Sequence, residues 1–497
     1  MSHADERNEL SSRRRWASFS VLAATAALTI LDVSKVGVAL PAIQESTGGS
    51  GSTIQLMLVG YTIAYAAFLL PAGRLGDVLP RSAVFLVGGT AFVVASVICA
   101  LAPDITWLVI GRALQGAGAG VLMPQVLGII QRLFLPDERA RPLATLAAIL
   151  AATSLFGPVL AGVVMQLIGT ADAWRALFWI NVAVGAVVLP LAMILIRDPP
   201  GERRRGFDGI GVALLGPAVL LAIAPLSAVS RDNPPTPVTA LLVVIGAILS
   251  GIFVWHVRRR TAAGKQALVD PALFRFPHLG AGVVISGFMH AAATAGTLII
   301  TIGLQQLAGL TALETALWML PAALAALAGS WLAARLPFHR SYRVIAWGTG
   351  IGAAGLVLVG TAFGTAPAAM LPAVVSAVLI INTFGTALAA PANQGRVLAD
   401  VPEYRSSVAG SMIQFSQRVG SAIGMAAALT LYYSVGTVPT FAGRPTLGAM
   451  LAILLTAACL LAAMTLALLD HGLRASRGTV PTRVPSSGTQ ETARASA

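Results

Sequence analysis

Fourteen apolar runs, each long enough to cross a bilayer as a helix, follow one another along the chain. A spanning helix needs about 20 mostly apolar residues. Runs 1 to 14 lie near residues 16–42, 53–73, 82–102, 105–131, 142–168, 174–196, 210–230, 237–257, 279–303, 312–334, 342–364, 368–392, 406–434 and 447–470. The pattern predicts an all-α polytopic membrane protein with 14 transmembrane helices joined by short connections.

Composition agrees with a lipid environment. Hydrophobic residues make up 56% of the 497 residues and charged residues only 11%. Soluble domains average about 45–50% apolar and about 25% charged residues, so a soluble enzyme, a disordered chain and a disulfide scaffold are excluded. The two cysteines, Cys99 and Cys459, lie inside apolar runs, which favours packing over a disulfide or a metal site.

The distribution of the basic residues indicates how the chain is oriented in the membrane. The net charge is +13, from 33 Lys and Arg against 20 Asp and Glu. With the N-terminus inside, 27 of the 33 basic residues fall in eight proposed cytoplasmic segments, and 3 fall in outer segments. An excess of Lys and Arg in cytoplasmic loops is typical of membrane proteins. The distribution predicts a multi-pass protein of the inner (plasma) membrane with both termini cytoplasmic, and it excludes a nucleic-acid partner.

A short internal repeat indicates how the runs are grouped. The segment PAGRLGDVLPRS at residues 71–82 and the segment LAARLPFHRS at residues 332–341 share an Arg-Leu pair, a Pro and an Arg-Ser. Such repeats are typical of secondary transporters. We therefore expect a cytoplasmic tail, a six-helix bundle, an inserted helix pair with cytoplasmic linkers, a second six-helix bundle and a disordered tail, at residues 1–15, 16–196, 197–278, 279–470 and 471–497.

The first run is interpreted as a retained helix. Three arginines precede it, as in a signal peptide, but it is too long for a signal sequence and contains Asp32 and Lys35. Asp32 is the only acidic residue well inside a run, and Lys35 lies on the same helical face. A charged Asp there costs about 2.5–3.5 kcal/mol. Two readings stay open: a neutralising pair that locks the helix, or a proton-carrying acid with a cationic neighbour.

Two further motifs lie inside runs. Arg112 and Gln115 in RALQGAGAG share one face of run 4, and an arginine at that depth faces the protein interior or a cavity. Its glycines permit close helix contact, so interhelical packing is the alternative reading. In run 5, Gly157, Pro158 and Gly162 interrupt the helix and predict either a hinge or a static kink.

The remaining polar and aromatic groups in the runs form a set of possible cavity residues. Each also has a plain reading as a buried, hydrogen-bonded group or a lipid-interface anchor. We expect Glu314, near the start of run 10, to cap its helix. The cavity candidates besides Gln115 are Tyr61, Tyr65, His290, Trp318 and Asn382.

Several chemistries lack the residues they need. No GxxxxGK[ST] segment occurs, so ATP is not expected as the energy source. No Ser/His/Asp arrangement supports a hydrolase, and no His/Cys cluster has metal-ligand spacing. We therefore expect no enzyme activity, no catalytic residue, no metal and no cofactor.

These segments together resemble the major facilitator superfamily, and within it the fourteen-helix drug:proton antiporter branch. GRLGDVLPRS at residues 73–82 is similar to the superfamily's signature between helices 2 and 3, with Gly73, Asp77 and Arg81 at matching positions and Pro80 in place of the usual Gly. Four other segments are similar to signatures of helices 1, 4, 5 and 6, at residues 31–41, 112–120, 157–162 and 174–185. Lys35 stands where that branch commonly has an apolar residue, and Gly37 where it has Asn.

The resemblance implies a major facilitator fold and proton-driven export of hydrophobic small molecules, drugs or antibiotics, by alternating access. Asp32, Lys35 and Arg112 would serve proton coupling; Gly73, Asp77 and Arg81 would form a cytoplasmic gate; and Gly157, Pro158 and Gly162 would be the antiporter motif. The implied partners are a small hydrophobic substrate, protons and the lipid bilayer, with the chain a monomer. A proton-coupled uptake symporter for a nutrient, a lipid-linked exporter and a non-transporting membrane sensor or scaffold stay open as alternatives.

Overall fold

Long helices form almost all of the computed structural model, which describes residues 12–134, 138–196, 208–227, 236–276, 278–336, 341–399, 401, 403–435 and 445–475. No strand occurs among them, so the predicted all-α architecture is confirmed. The fourteen long helices are α1 Ser12–Val38, α2 Gly51–Val78, α3 Arg81–Ala100, α4 Ile105–Leu133, α5 Ala140–Ile168, α6 Trp174–Leu195, α7 Gly209–Ser227, α8 Pro237–Ala262, α9 Leu279–Leu307, α10 Ala312–Arg335, α11 Ser341–Thr365, α12 Leu371–Ala399, α13 Glu403–Val435 and α14 Pro445–Ala475.

Local sequence explains where several helices begin. Asp104 caps α4 because its carboxylate accepts hydrogen bonds from the backbone N–H groups of Thr106 and Trp107. Thr311 and Glu314 form a capping box at the start of α10, as expected of Glu314. Helix α5 continues through Pro158 as one helix, so Gly157 and Pro158 do not end it, and the hinge or static kink at this position stays a prediction. Neighbouring helices can support the backbone around a proline in a membrane helix.

Twelve of the fourteen helices are long and apolar enough to cross a membrane. The apolar segment of α7 is shorter, at Gly209–Pro225, and α13 carries a polar stretch around Arg418, so these two do not meet that criterion. Large apolar side chains on the outside, such as Leu167 and Trp347, are mostly exposed. Exposed apolar faces of this extent fit contact with lipid.

The ends of the predicted runs shift by a few residues. Helix α1 begins at Ser12 and ends at Val38, and a separate short helix, Leu40–Thr47, follows it. Helix α14 continues to Ala475, beyond the predicted end of the second bundle at 470. The predicted tails, apart from these helical residues, lie outside the described residues.

Helix pairing repeats along the chain. In the first part, α1 packs against α5 and α6, α4 packs against α2 and α3, and α3 packs against α6. In the second part, α9 packs against α13 and α14, α12 packs against α10 and α11, and α11 packs against α14. The two sets, α1 to α6 and α9 to α14, correspond after a shift of eight helices. They meet where α2 packs against α13 and where α5 packs against α10.

A buried carboxylate joins the α7–α8 pair to the rest of the chain. Asp208 Oδ1 accepts from the N–H of Gly211 at 3.0 Å, Oδ2 accepts from the N–H of Leu268 at 2.9 Å, and His256 Nε2 lies 2.9 Å from Oδ1. Arg74 on α2 donates to the carbonyl oxygen of Leu268 at 3.2 Å. Burial raises the pKa of Asp208, but the hydrogen bonds from His256, Gly211 and Leu268 outweigh it and leave the pKa below its ordinary value.

Candidate functional site

A fully buried ion pair connects α1 to α4. Arg112 Nη1 donates to Asp32 Oδ2, and the exposed fractions of the two side chains are 2% and 0%. Arg112 Nη1 also donates to Gln115 Oε1 at 2.6 Å. Both charges are out of water, where only a partner and further hydrogen bonds can compensate for the lost solvation. The structure thus brings the predicted acid of run 1 and the predicted arginine of run 4 into one contact.

Asn181 and Ser96, neither of which was predicted from the sequence, add further hydrogen bonds around the ion pair. Asn181 on α6 donates to Asp32 Oδ1 at 2.6 Å, and Gln115 donates to the same oxygen at 3.2 Å. Gln115 also donates to the hydroxyl of Ser96 on α3 at 2.8 Å. Asn181 lies in the segment similar to the helix 6 signature, which was the one signal that could have drawn attention to it.

Lys35 bonds chiefly to Asn181. Its ammonium donates to Asn181 Oδ1 and lies 3.5 Å from Asp32 Oδ1. The Lys35 side chain has no exposed surface. We call Asp32, Lys35, Ser96, Arg112, Gln115 and Asn181 the polar cluster. With its three ionisable groups charged, the polar cluster carries one net positive charge, held by four helices of the first set.

The ring of Tyr61 on α2 packs against the polar cluster. The Arg112 guanidinium carbon lies 4.2 Å from the centroid of the Tyr61 ring, a cation–π distance. Tyr65, one turn further along α2, has the corresponding contact with Arg418 on α13, also at 4.2 Å. The backbone of α2 comes this close to α4 because Gly116 has no side chain; a Cβ there would collide with the carbonyl of Tyr61.

A cavity of about 540 Å³ lies between the two sets of helices. Tyr61 and Arg112 line it from the first set, and Asn382 lines it from α12. Alanine, leucine, methionine and threonine side chains of α9, α10 and α12 form most of the opposite wall. Among the described lining residues, Arg112 is the one with a charged side chain. Such a cavity suits a mostly apolar molecule with few polar groups.

The other predicted cavity residues lie elsewhere. Gln115 is completely buried in the polar cluster behind Arg112. His290 Nδ1 lies 3.1 Å from the carbonyl oxygen of Ser286 on its own helix. Trp318 is 40% exposed on the outer face of α10, and the ring of Tyr65 packs under Arg418. None of these four lines the cavity.

Helix α5 lies between α1 and α10, and its small residues form both contacts. A Cβ at Gly157 would collide with the hydroxyl of Ser34 on α1, and a Cβ at Gly162 would meet the backbone of Leu313 on α10. Pro158 between them lines the cavity. The predicted antiporter motif therefore borders the cavity and joins the two sets of helices.

The predicted gate residues lie at the end of α2 and the start of α3. A Cβ at Gly73 would be 4.0 Å from the Ser411 hydroxyl on α13, so the two sets approach each other here as well. Arg81 is mostly buried, and a Cβ at Gly128 on α4 would collide with its guanidinium. The side chain of Asp77 lies outside the described residues.

The described residues contain no group of three His, Cys, Asp or Glu side chains that could hold a metal ion. The arrangement of the polar cluster and the cavity supports ion pairing at one buried carboxylate and binding of an apolar molecule beside it. These capacities require an acid, its charged partners and an adjoining cavity, all of which the helices place together.

Comparisons with known proteins agree with this arrangement. The sequence profile of the Major Facilitator Superfamily matches residues 22–425. The probable actinorhodin transporter of Streptomyces coelicolor is 29% identical over 439 residues, covering 85% of this chain and 73% of that protein. The lincomycin resistance protein of Streptomyces lincolnensis is 29% identical over 444 residues, covering 87% of this chain and 86% of that protein.

The fold is also similar to a solved transporter structure. A bacterial homolog of the human lysosomal transporter Spinster, in an inward-facing and unoccupied conformation, has a TM-score of 0.67 and 15% sequence identity. The match covers 95% of this chain and 100% of that one. At this identity the likeness concerns the fold alone.

Proposed function

Because this chain belongs to the major facilitator superfamily and is a multi-pass membrane protein, we propose that it exports small hydrophobic molecules, drugs or antibiotics, in exchange for protons. Relatives whose names refer to actinorhodin transport and lincomycin resistance support this proposal. The chain acts in the cell membrane as a monomer with both termini cytoplasmic, and it uses the proton gradient without a cofactor or enzymatic step.

The observation that carries the proposal is the position of the cavity. It lies between the two sets of helices, has a largely apolar lining and adjoins the polar cluster through Arg112. In this cavity, an apolar molecule that contacts Arg112 is separated from the buried carboxylate of Asp32 by the Arg112 side chain alone. This proximity gives a proton on Asp32 and a molecule in the cavity a way to influence each other.

Alternating access requires that the contacts between the two sets can open. At the ends opposite the arginine-rich linkers, Gln55 on α2 donates to the carbonyl oxygen of Ala426 on α13 at 2.9 Å, and Gln305 on α9 donates to that of Val38 at 3.2 Å. Together with the close contact of Gly162 and Leu313, these bonds close the outer ends. A change of state would break them and open the cavity to the outside.

Asp32 is the proposed site of proton exchange. It is the one acid within the polar cluster, and its protonation would remove the negative charge that pairs with Arg112 and Lys35. A proton that enters down a potential of 100 mV supplies about 2.3 kcal/mol. The gate residues Gly73, Asp77 and Arg81 would act at the cytoplasmic end, where Gly73 approaches α13.

A susceptibility assay tests the export function. A drug-sensitive bacterial host expresses the full chain, and its growth is measured against a panel of apolar antibiotics with and without a protonophore. We expect protection against at least one compound, lost when the protonophore is present. Everted membrane vesicles then measure the direction, since an exporter accumulates that compound inside them. Absence of protection against every compound, or accumulation in right-side-out vesicles instead, would contradict the proposal.

A further inference from the structure

The wall of the cavity carries two buried hydrogen-bond donors without a partner. The hydroxyl of Tyr61 and the Nε–H of Arg112 make no hydrogen bond, although Tyr61 is 1% and Arg112 2% exposed. Both residues line the cavity, and the guanidinium lies 4.2 Å from the Tyr61 ring. Buried donors are nearly always paired, so an unpaired donor on each of two neighbouring cavity-lining residues points to a ligand that supplies an acceptor.

Three threonine hydroxyls of the opposite wall already donate within the protein. Thr301 donates to the carbonyl oxygen of Thr297 at 2.8 Å, Thr383 to that of Ala322 at 2.7 Å and Thr386 to that of Asn382 at 3.0 Å. Their hydroxyl protons are therefore engaged within the protein. Among the described lining residues, Arg112 is the one that offers a charged donor.

The charge of the wall also selects among ligands. Arg112 contributes a positive charge to the lining, and no described lining residue contributes a negative one. Asp32 does not line the cavity and is fully buried, paired with Arg112. A permanent cation in the cavity would meet the guanidinium first, without an accessible carboxylate to compensate the repulsion.

We propose that the cavity binds apolar molecules through an oxygen acceptor, such as a carbonyl, quinone or carboxylate oxygen, and discriminates against permanent cations. The acceptor lies against the Tyr61 hydroxyl and the free edge of Arg112, and the apolar body lies against α9, α10 and α12. This inference rests on the proposed export function and specifies its substrate class.

The contact between Arg112 and Asp32 couples substrate binding in the cavity to protonation of Asp32. Asp32 and Gln115 both accept from Arg112 Nη1, which restrains the guanidinium, whereas Nε makes no hydrogen bond within the polar cluster. Protonation of Asp32 removes the charged partner, so Arg112 loses its fixed orientation and the acceptor site loses one of its two donors. The acceptor site is therefore complete only when Asp32 is deprotonated, as exchange of substrate for proton requires.

Three probes with one apolar body test the substrate class. They are naphthalenes that carry an acetyl, a carboxylate or a trimethylammonium group, and their binding to the full chain in nanodiscs is measured by calorimetry. We expect the acetyl and carboxylate probes to bind at least about tenfold more tightly than the ammonium probe. The ratio between the acetyl and carboxylate probes tells whether a neutral or an ionised oxygen is preferred.

One substitution isolates the hydroxyl. In Tyr61→Phe the ring under Arg112 remains, and no internal hydrogen bond is lost because the hydroxyl has no protein partner. We expect the affinity for the acetyl and carboxylate probes to fall about fivefold, with the ammonium probe unaffected. Tyr65→Phe is the matched control, since Tyr65 has the same ring contact with Arg418 but does not line the cavity. Its probe affinities should equal those of the wild type.

The outcomes separate this inference from the export function. The inference is overturned if the ammonium probe binds as tightly as the others, if Tyr61→Phe leaves all three affinities unchanged, or if no probe binds to a chain that protects its host against a drug. Each of those results leaves export intact. Failure of export itself is measured separately, by the loss of all protection in the susceptibility assay.

Discussion

Arg112 and Asp32 form a buried ion pair between α4 and α1, although 80 positions separate them in the sequence. Both oxygens of the Asp32 carboxylate have a partner, because Oδ1 accepts from Asn181 and Gln115 and Oδ2 accepts from Arg112. Lys35 and Ser96 complete the surroundings of the pair. Removal of one member of a buried pair leaves an uncompensated charge and typically costs about 3–5 kcal/mol.

Asn181 holds the two charges of α1 together, so Asn181→Leu should impair both folding and coupling. The substitution removes one hydrogen bond to the Asp32 carboxylate and one from the Lys35 ammonium. Hydrogen bonds to charged groups contribute about 1.5–3 kcal/mol each. We expect a clearly lower melting temperature in detergent and weaker proton-driven uptake in vesicles.

Asn393→Leu is the matched control for that variant. Asn393 on α12 is equally buried and donates to the carbonyl oxygen of Gly282 at 2.8 Å and to Ser286 at 2.9 Å, but it bonds no charged group. It should lower the melting temperature by less and leave the dependence of uptake on the proton gradient unchanged. Equal effects of the two substitutions on that dependence would refute a specific role for Asn181.

Gly162→Ala should disfavour the state in which the outer ends are closed. A Cβ at this position would lie 2.5 Å from the Cα of Leu313, so α5 and α10 would have to separate. Overpacking costs about 1–3 kcal/mol, enough to reduce the closed population at least about fivefold. Vesicle uptake measures the loss of transport. The control is Gly251→Ala on α8, which should transport normally because no atom lies within 4 Å of that Cβ position. A normal transport rate for Gly162→Ala would count against a closing role for the contact between Gly162 and Leu313.

Gln55→Leu should open the outer ends by a different route. It removes the buried hydrogen bonds from α2 to Ala426 and Thr430 on α13, worth about 1 kcal/mol each. Spin labels at Gly51 and Tyr433, whose positions are in contact in the closed state, should report a longer distance. Gln125→Leu breaks only a bond between α4 and α2 and serves as the control. An unchanged label distance in Gln55→Leu would exclude this bond as a closing contact.

Much of the fold could be predicted from the sequence, because each spanning helix must satisfy its own backbone in lipid and so leaves a long apolar run. Deviations occur where a helix is short or polar, as in α7 and α13. The acid and the arginine of the polar cluster were predictable because charges inside a membrane are costly and rare.

The rest of the site could not be predicted, since the facing of a helix depends on packing with distant segments. Asn181 and Ser96 are ordinary polar residues in apolar runs, and only the meeting of α1, α3, α4 and α6 brings them to Asp32. For the same reason, nothing local distinguishes Tyr61, which lines the cavity, from Trp318, which faces outward.

Asp208 should make the α7–α8 junction sensitive to acid. Its pKa is lower in the folded protein than the ordinary 3.8, so its charge stabilises the fold above pH 3.8 and this contribution is lost as the pH falls through the folded value. Asp208→Asn should therefore melt at a lower temperature than the wild type at pH 7, and the difference should shrink below about pH 4. A difference that stays constant down to pH 3 would rule out the charge as its cause.

The central claim, that Asp32 couples substrate movement to protons, is tested most directly in liposomes that contain the purified chain. The compound against which the chain protects its host is followed in two ways: as uptake driven by an acidic lumen, and as counterflow without a gradient. For Asp32→Asn we predict that counterflow continues at a reduced rate, because the Tyr61 hydroxyl still offers one donor to the substrate. The remaining counterflow shows that the variant folds, while the acidic lumen no longer accelerates uptake. Full acceleration of Asp32→Asn by the acidic lumen would contradict the account.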